Sequence, residues 1–396
     1  MTENVSSSST TSSSLSIPYD VLQRHCNLYD VIPKPSNQPT LAYDGEQAPV
    51  LLQHLLSNDP IEVQRALNSS YTLLGKYDNV NRFTEFNVVN QIVNLSLLNH
   101  YFNDYEIRKT ALKCIELILK APHASRASNF LVASSSIAQG LQDTSVIIRQ
   151  ISYQCIINCM ESIETIETII SNQFVPLLIT RILEEISYYN VNGSTLTDLA
   201  LYSMYALLLN GTQANVMDIA VESNPSISQP LCECFILSRP SLSTIQNTLL
   251  CLSILCTDYR GKKAVLKENN IIDTLLDFIN YGINQTNYDL AISSGTVIMG
   301  LMAEDDGKRL LLDTSLNVQP LIKLLNITYG TRAIITGATS LATIAAHPRG
   351  RAHLVLPSTG ALTALNTLLK LTEEQGLSNY SRTTIQRAIN VIEWKP

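Results

Sequence analysis

The sequence predicts an all-α fold in which about eight helical units stack into one right-handed array. Three observations carry that expectation. First, a break built from glycine and basic residues recurs, as Asp258-Tyr259-Arg260-Gly261-Lys262-Lys263, Asp305-Asp306-Gly307-Lys308-Arg309 and His347-Pro348-Arg349-Gly350-Arg351. Its glycines lie 46 and 43 residues apart, the period of arrays with two or three helices per unit. Second, each break follows a helical run of small and aliphatic residues: Thr248–Cys256, Ser293–Ala303 and Ala333–Ala346. Third, apolar residues make up 45% of the chain and aromatic ones only 6%, which suits helices packed through Leu, Ile, Val and Ala.

Taken in order, Met1–Ser16 is mostly Ser and Thr and cannot bury enough apolar surface to fold. Ile17–Pro39 carries Pro18, Pro33, Pro35 and Pro39, which block a long helix, with Tyr19–Tyr29 as a short helix or a docked extended segment. Residues 1–45 are therefore expected to be a disordered leader and 46–396 the repeat array. The first unit runs from about Glu46 to Phe86, with helices at Pro49–Ser57 and Glu62–Tyr77 around the turn Asn58-Asp59-Pro60. Val88–Phe130 holds Leu95–His100 and Glu106–Lys120, and Ala121-Pro122 stops the second of these. Leu131–Asn172 holds Ile137–Leu141, an Asp143-Thr144-Ser145 cap and Val146–Met160. Gln173–Glu222 is the long unit, with Tyr188–Thr197 as an enlarged inner loop. Ser223–Glu268, Asn269–Asp313 and Thr314–Pro357 follow, the last opening with a helix at Val318–Asn326. Thr359–Pro396 closes the array with Ser381–Glu393, whose Arg382, Gln386, Arg387 and Glu393 give it the polar face of a capping unit.

No helix here buries its face alone. Leu112, Ile115 and Ile118 share one stripe, as do Ala338, Leu341 and Ile344, and stacking joins such stripes into one core.

Composition excludes several classes. The net charge is −7, against the basic balance expected of a protein that neutralises phosphates, so no nucleic-acid partner is expected. The eight cysteines form no C-x-x-C pair and sit in apolar runs, as buried free thiols do. No basic-flanked apolar core marks a signal peptide, and no run of about 18 apolar residues exists to span a bilayer, so a soluble intracellular chain without membrane contact is expected. None of His25, His54, His100, His123, His347 and His353 pairs at i, i+4, and no H-E-x-x-H motif is present. Gly300 and Gly307-Lys308 miss the phosphate-loop spacing, and no G-x-S-x-G elbow occurs. The chain is thus expected to be no enzyme, with no catalytic, cofactor or metal site and no small-molecule substrate; its partners are other proteins.

The units resemble armadillo and HEAT repeats from about Glu46 to Pro396, an α-solenoid of about eight repeats. The armadillo register implies that Thr296, Thr339 and Thr343 project into the binding face while Leu341 and Ile344 point inward. Tyr188 and Tyr189, opening the enlarged Tyr188–Thr197 loop, are the second candidate contact. The chain is also similar, more narrowly, to the radial-spoke head armadillo proteins of motile cilia. The lead-in Pro39-Thr40-Leu41-Ala42-Tyr43, Pro49 opening the first helix, Arg65-Ala66-Leu67 and the closing Val391-Ile392-Glu393-Trp394-Lys395-Pro396 carry that resemblance. It departs in its Ser/Thr leader, long fourth repeat and Asn/Ile/Ser-rich middle. What it implies is a structural, non-enzymatic radial-spoke subunit in the cytoplasm and cytoskeleton, on the axoneme of a cilium or flagellum, bound to other spoke proteins. The broader alternative is a cytoplasmic armadillo adaptor for trafficking, degradation or signalling complexes. A cargo receptor of the importin-α kind fits poorly, because Trp394 is the one Trp and Met1–Asp20 holds no Lys or Arg.

Overall fold

A computed structural model describes residues 47–97, 104–121, 126–160, 162–211, 215–237, 239–268, 270–314, 317–375 and 378–394. Every regular element among these residues is helical. The expected disorder of residues 1–45, with the Pro39–Tyr43 lead-in, lies outside them, as do Lys395 and Pro396. From Ala48 onward the chain is one contact unit.

Eight helices, one per repeat, form a ladder: α1 (Pro60–Leu74), α2 (Tyr105–Lys120), α3 (Val146–Asn158), α4 (Ser194–Asn210), α5 (Leu242–Leu255), α6 (Tyr288–Leu301), α7 (Thr331–Ala345) and α8 (Asn379–Glu393). Each packs on the next along the whole series. Each falls inside one of the eight units read from the sequence. Short polar residues fix several of their starts by accepting from orphan backbone N–H groups. Asp59 accepts from Ile61, Asp104 from Glu106 and Ile107, Ser241 from Thr244, and Asn287 from Leu290.

The other helices lie behind this ladder. After one break Asp305–Thr314 is followed only by Gln319–Lys323. After the other two a short helix leads off and a longer one returns, Tyr259–Leu266 followed by Ile271–Asn284 and Pro348–Leu354 followed by Ala361–Gln375. The corner between them takes a left-handed residue in four repeats: Asn87, Gln173, Asn270 and Gly360. Asparagine and glycine are the residues that reach this conformation at least cost.

The three register glycines have a packing reason. A Cβ on Gly261 would meet the Leu255 carbonyl oxygen, one on Gly307 that of Leu301, and one on Gly350 that of Ile344, each far inside contact distance. The short helix after each break therefore lies directly on the last turn of the ladder helix before it. Of the neighbouring basic residues, Lys262 and Arg349 reach across to an adjacent repeat, while Lys308 pairs within its own helix. Lys262 Nζ reaches Glu304 at 3.1 Å, Lys308 Nζ reaches Asp305 at 2.8 Å, and Arg349 Nη1 reaches Asp313 at 2.8 Å.

Four elements differ from the sequence reading. The helix expected at Leu95–His100 runs Val88–Ser96, and the one expected at Ile137–Leu141 starts at Arg126 and so crosses the expected unit boundary at Leu131. The helix expected at Val318–Asn326 spans only Gln319–Lys323, because Asn326 accepts from Thr328 N–H and opens a tight turn at Ile327–Tyr329. The expected Tyr188–Thr197 loop is a short helix, Tyr189–Asn192, after which Gly193 at φ +73° turns the chain straight into α4. The extra length of the fourth repeat is thus folded back as helix.

Candidate functional site

The ladder helices turn one face to the core and leave the other at the surface. On α7, Ala333, Ile334, Gly337, Ala338, Leu341, Ile344 and Ala345 are buried, while Ile335, Thr339, Ala342 and Thr343 remain half-buried along the opposite stripe. Thr296 holds the matching place on α6. The three threonines are therefore brought onto neighbouring rungs of one surface, with Leu341 and Ile344 turned inward. Thr296 donates its hydroxyl to the Ile292 carbonyl and Thr343 to the Thr339 carbonyl, both at 2.8 Å. With their protons held by the backbone, these two hydroxyls offer a partner acceptor lone pairs.

The same stripe continues toward the N-terminus through Leu250 and Asn247 on α5, Tyr205 and Tyr202 on α4, and Asn158 and Gln154 on α3, all half-buried. The Tyr202 and Tyr205 rings lie 6.0 Å apart. Asn158 Nδ2 donates to the Glu116 carbonyl, and Asn247 Nδ2 to the Asp198 carbonyl, both at 3.3 Å. Each amide so braces the rung before it, and Asn158 Oδ1 also accepts from Gln154 Nε2 at 3.0 Å. Sequence reading missed these four residues; their signal was the placement of Asn and Tyr opposite the buried stripe of α3, α4 and α5.

Tyr188 and Tyr189 are separated by the structure. Tyr188 is 53% exposed, while Tyr189 is 7% exposed. Its hydroxyl accepts from the Ser241 backbone N–H at 2.6 Å and sits 3.4 Å from Thr244 Oγ1. Tyr189 thus ties the fourth repeat to the fifth, and this corrects its reading as a partner contact: a ring buried in that bond is not presented to a partner.

The fold has a solved counterpart. A chain from a structure on the cadherin–β-catenin interaction, and the conserved phosphorylation switch that controls it, superposes with a TM-score of 0.55 at 12% identity, covering 88% of this chain and 78% of that one. This is an armadillo-repeat solenoid. An engineered protein superposes with a TM-score of 0.48 at 14% identity, covering 88% of this chain and 100% of that one. No protein-family model and no curated protein matches the sequence.

Chemically, the armadillo face offers hydrogen-bond donors, acceptors and aromatic area. Among the described residues no group of three His, Cys, Asp or Glu side chains is placed to hold a metal ion. Burial pushes the thiols up, Cys234 and Cys256 to about 12, which keeps them protonated. No single helix among the described residues is long and apolar enough to cross a membrane. The one bent pair that passes by composition, Ile163–Ser171 with Phe174–Ser187, breaks by 74° at the joint between the third and fourth repeats.

Proposed function

We propose that the chain is a non-enzymatic scaffold that binds an extended segment of another protein along the ladder face from α3 to α7. One observation carries this reading. The charged residues of these five helices are Arg149, Asp198, Asp289 and Arg332, and none lies in the middle of the exposed stripe. Arg149 is buried, Asp198 accepts from Thr244, and Asp289 and Arg332 sit at the first turns of their helices. What remains is Asn, Gln, Ser, Thr and Tyr, with apolar residues such as Leu250, Ile335 and Ala342 between them, over five adjoining rungs. Phosphate backbones and anionic membranes are held by cations, whereas a polypeptide backbone is held by such donors and acceptors with aromatic anchors between them.

Photo-cross-linkers placed singly at Thr296 and Thr339 are expected to capture a common partner protein, while one at Asp277, on a helix behind the ladder, does not. Capture from Asp277 alone would move binding off the ladder face. The resemblance to the radial-spoke head proteins supports the finer proposal that this partner is a spoke protein and that the chain works on the axoneme of motile cilia. Tagged protein retained on detergent-extracted axonemes, and lost from axonemes lacking radial spokes, is the expected result. A wholly cytosolic pool would leave the broader reading, a cytoplasmic armadillo adaptor.

A further inference from the structure

The stripe that is uncharged through the middle of the ladder ends in a cleft of different character. Its walls are the last turn of α7 with Ala346, the helix Pro348–Leu354 and the outer side of α8, and its volume is about 810 Å³, the size of a ligand site. Among the described residues Arg351, Arg382 and Arg387 line it and no carboxylate does, on a chain whose net charge is −7. The guanidinium of Arg351 stacks on the Trp394 ring at 4.4 Å and its Nη1 reaches the Trp394 carbonyl at 3.4 Å. Arg351 Nε is buried without a hydrogen-bond partner. Arg387 is exposed and enters no ion pair among the described residues, and Trp394 is 57% exposed.

We propose that this cleft is a docking site for an acidic polypeptide segment, its carboxylates held by Arg387 and Arg351 and an apolar side chain resting on Trp394 and Val391. Guanidinium and carboxylate pair through two parallel hydrogen bonds, which a lone phosphate-tracking lysine does not supply. The floor of Ala345, Ala346, Val391 and Trp394 favours a polypeptide over a bare polyanion, because it offers apolar area that only a side chain uses. The overall negative charge repels a long polyanion while leaving a local cluster of arginines free to select a short acidic stretch. The inference rests on the reading of the array as a protein-binding scaffold and adds the chemistry of the partner at one end of it.

Trp394 is the single tryptophan of the chain, so its fluorescence reports on the cleft directly. The experiment titrates the full-length protein with a synthetic peptide of Asp and Glu around a central Leu, beside the same peptide with Asn and Gln and a single-stranded oligonucleotide. The acidic peptide is expected to change Trp394 emission saturably, with affinity falling as salt rises. Arg387→Glu is expected to weaken it by about tenfold or more and Arg387→Lys by less. Circular dichroism of the exposed-site variants keeps loss of binding separate from loss of fold. No saturable change, an equal response to the neutral peptide, or stronger binding of the oligonucleotide would each overturn the proposal. Cross-linking at Thr296 in the Arg387→Glu protein separates the two readings: capture retained there, with no acidic-peptide binding to the parent protein, sinks the cleft and leaves the scaffold.

Discussion

Arg149 Nε on α3 donates to Glu185 Oε1 at 2.8 Å, with the two side chains 7% and 1% exposed. The bond crosses from the third repeat to the helix Phe174–Ser187 of the fourth. Arg181 Nη2 meets the same oxygen at 3.1 Å and the Tyr153 hydroxyl donates to it at 3.3 Å. One buried carboxylate oxygen therefore accepts from two guanidiniums and a phenol, and Arg181 Nη1 also pairs with Glu184. Replacing the Glu185 carboxylate by a neutral group strands charge where water cannot reach, so Glu185→Gln is expected to cost about 3–5 kcal/mol. Urea unfolding followed by circular dichroism measures it. The double change Arg149→Met with Glu185→Leu is expected to cost more than Arg149→Met alone, because it takes the Glu185 oxygen from Arg181 and the Tyr153 hydroxyl as well, and an equal or smaller cost would show that these two do not depend on Glu185.

Gly307 sits against the Leu301 carbonyl so closely that a methyl group has no room. Gly307→Ala must push the helix Asp305–Thr314 off the end of α6 or distort that end, at about 1–3 kcal/mol. Gly330→Ala tests a different cause, since its φ of +86° is the obstacle and its surroundings are open. In Gly307→Ala, faster amide exchange is expected at the end of α6 and in the following helix; unchanged protection there would remove the close-approach explanation.

How much of this was legible beforehand follows from the kind of signal each residue carries. The repeat register was readable because steric need imposes one residue type: Gly261, Gly307 and Gly350 mark three consecutive joints. Thr296, Thr339 and Thr343 could be set on one face because the resemblance to armadillo repeats implied a register with Leu341 and Ile344 turned inward. Tyr189 could not be told from Tyr188, because two adjacent tyrosines in a polar stretch differ only in which reaches Ser241, a residue 52 positions away. The short Gln319–Lys323 helix was also hidden, since Val318–Asn326 keeps an apolar pattern that the Asn326 turn overrides. The arginine cleft escaped for a further reason: Arg351 and Trp394 are 43 positions apart and meet only through the stacking of α8 on α7.

Tyr189→Phe removes only the hydroxyl that receives the Ser241 N–H. A buried donor left without an acceptor costs about 1–3 kcal/mol. The effect is expected to be local: exchange at the Ser241 amide should rise strongly while α1 and α2 keep their protection. An unchanged Ser241 amide would mean that the hydroxyl is not its acceptor in solution.

Glu116 lies on α2 beside Lys113 and Lys120, and Asn158 donates to its backbone carbonyl. Burial pushes its carboxyl up to about 7, against the opposing pull of Lys120 and Lys113, from an ordinary value of 4.5. The sign of the linkage follows. Between 4.5 and 7 the unfolded chain has given up this proton while the folded chain keeps it, so unfolding releases a proton and rising pH favours it. The contribution is fully present below 4.5 and is lost as pH climbs through 7. Glu116→Gln stays neutral throughout, so the difference in urea midpoint between variant and parent isolates this one group. The variant is expected to match the parent near pH 4 and to exceed it by about 1–3 kcal/mol at pH 8. A difference that does not vary with pH, or one favouring the parent at pH 8, would mean that the carboxyl is solvated on the ladder face and titrates as it does in the unfolded chain.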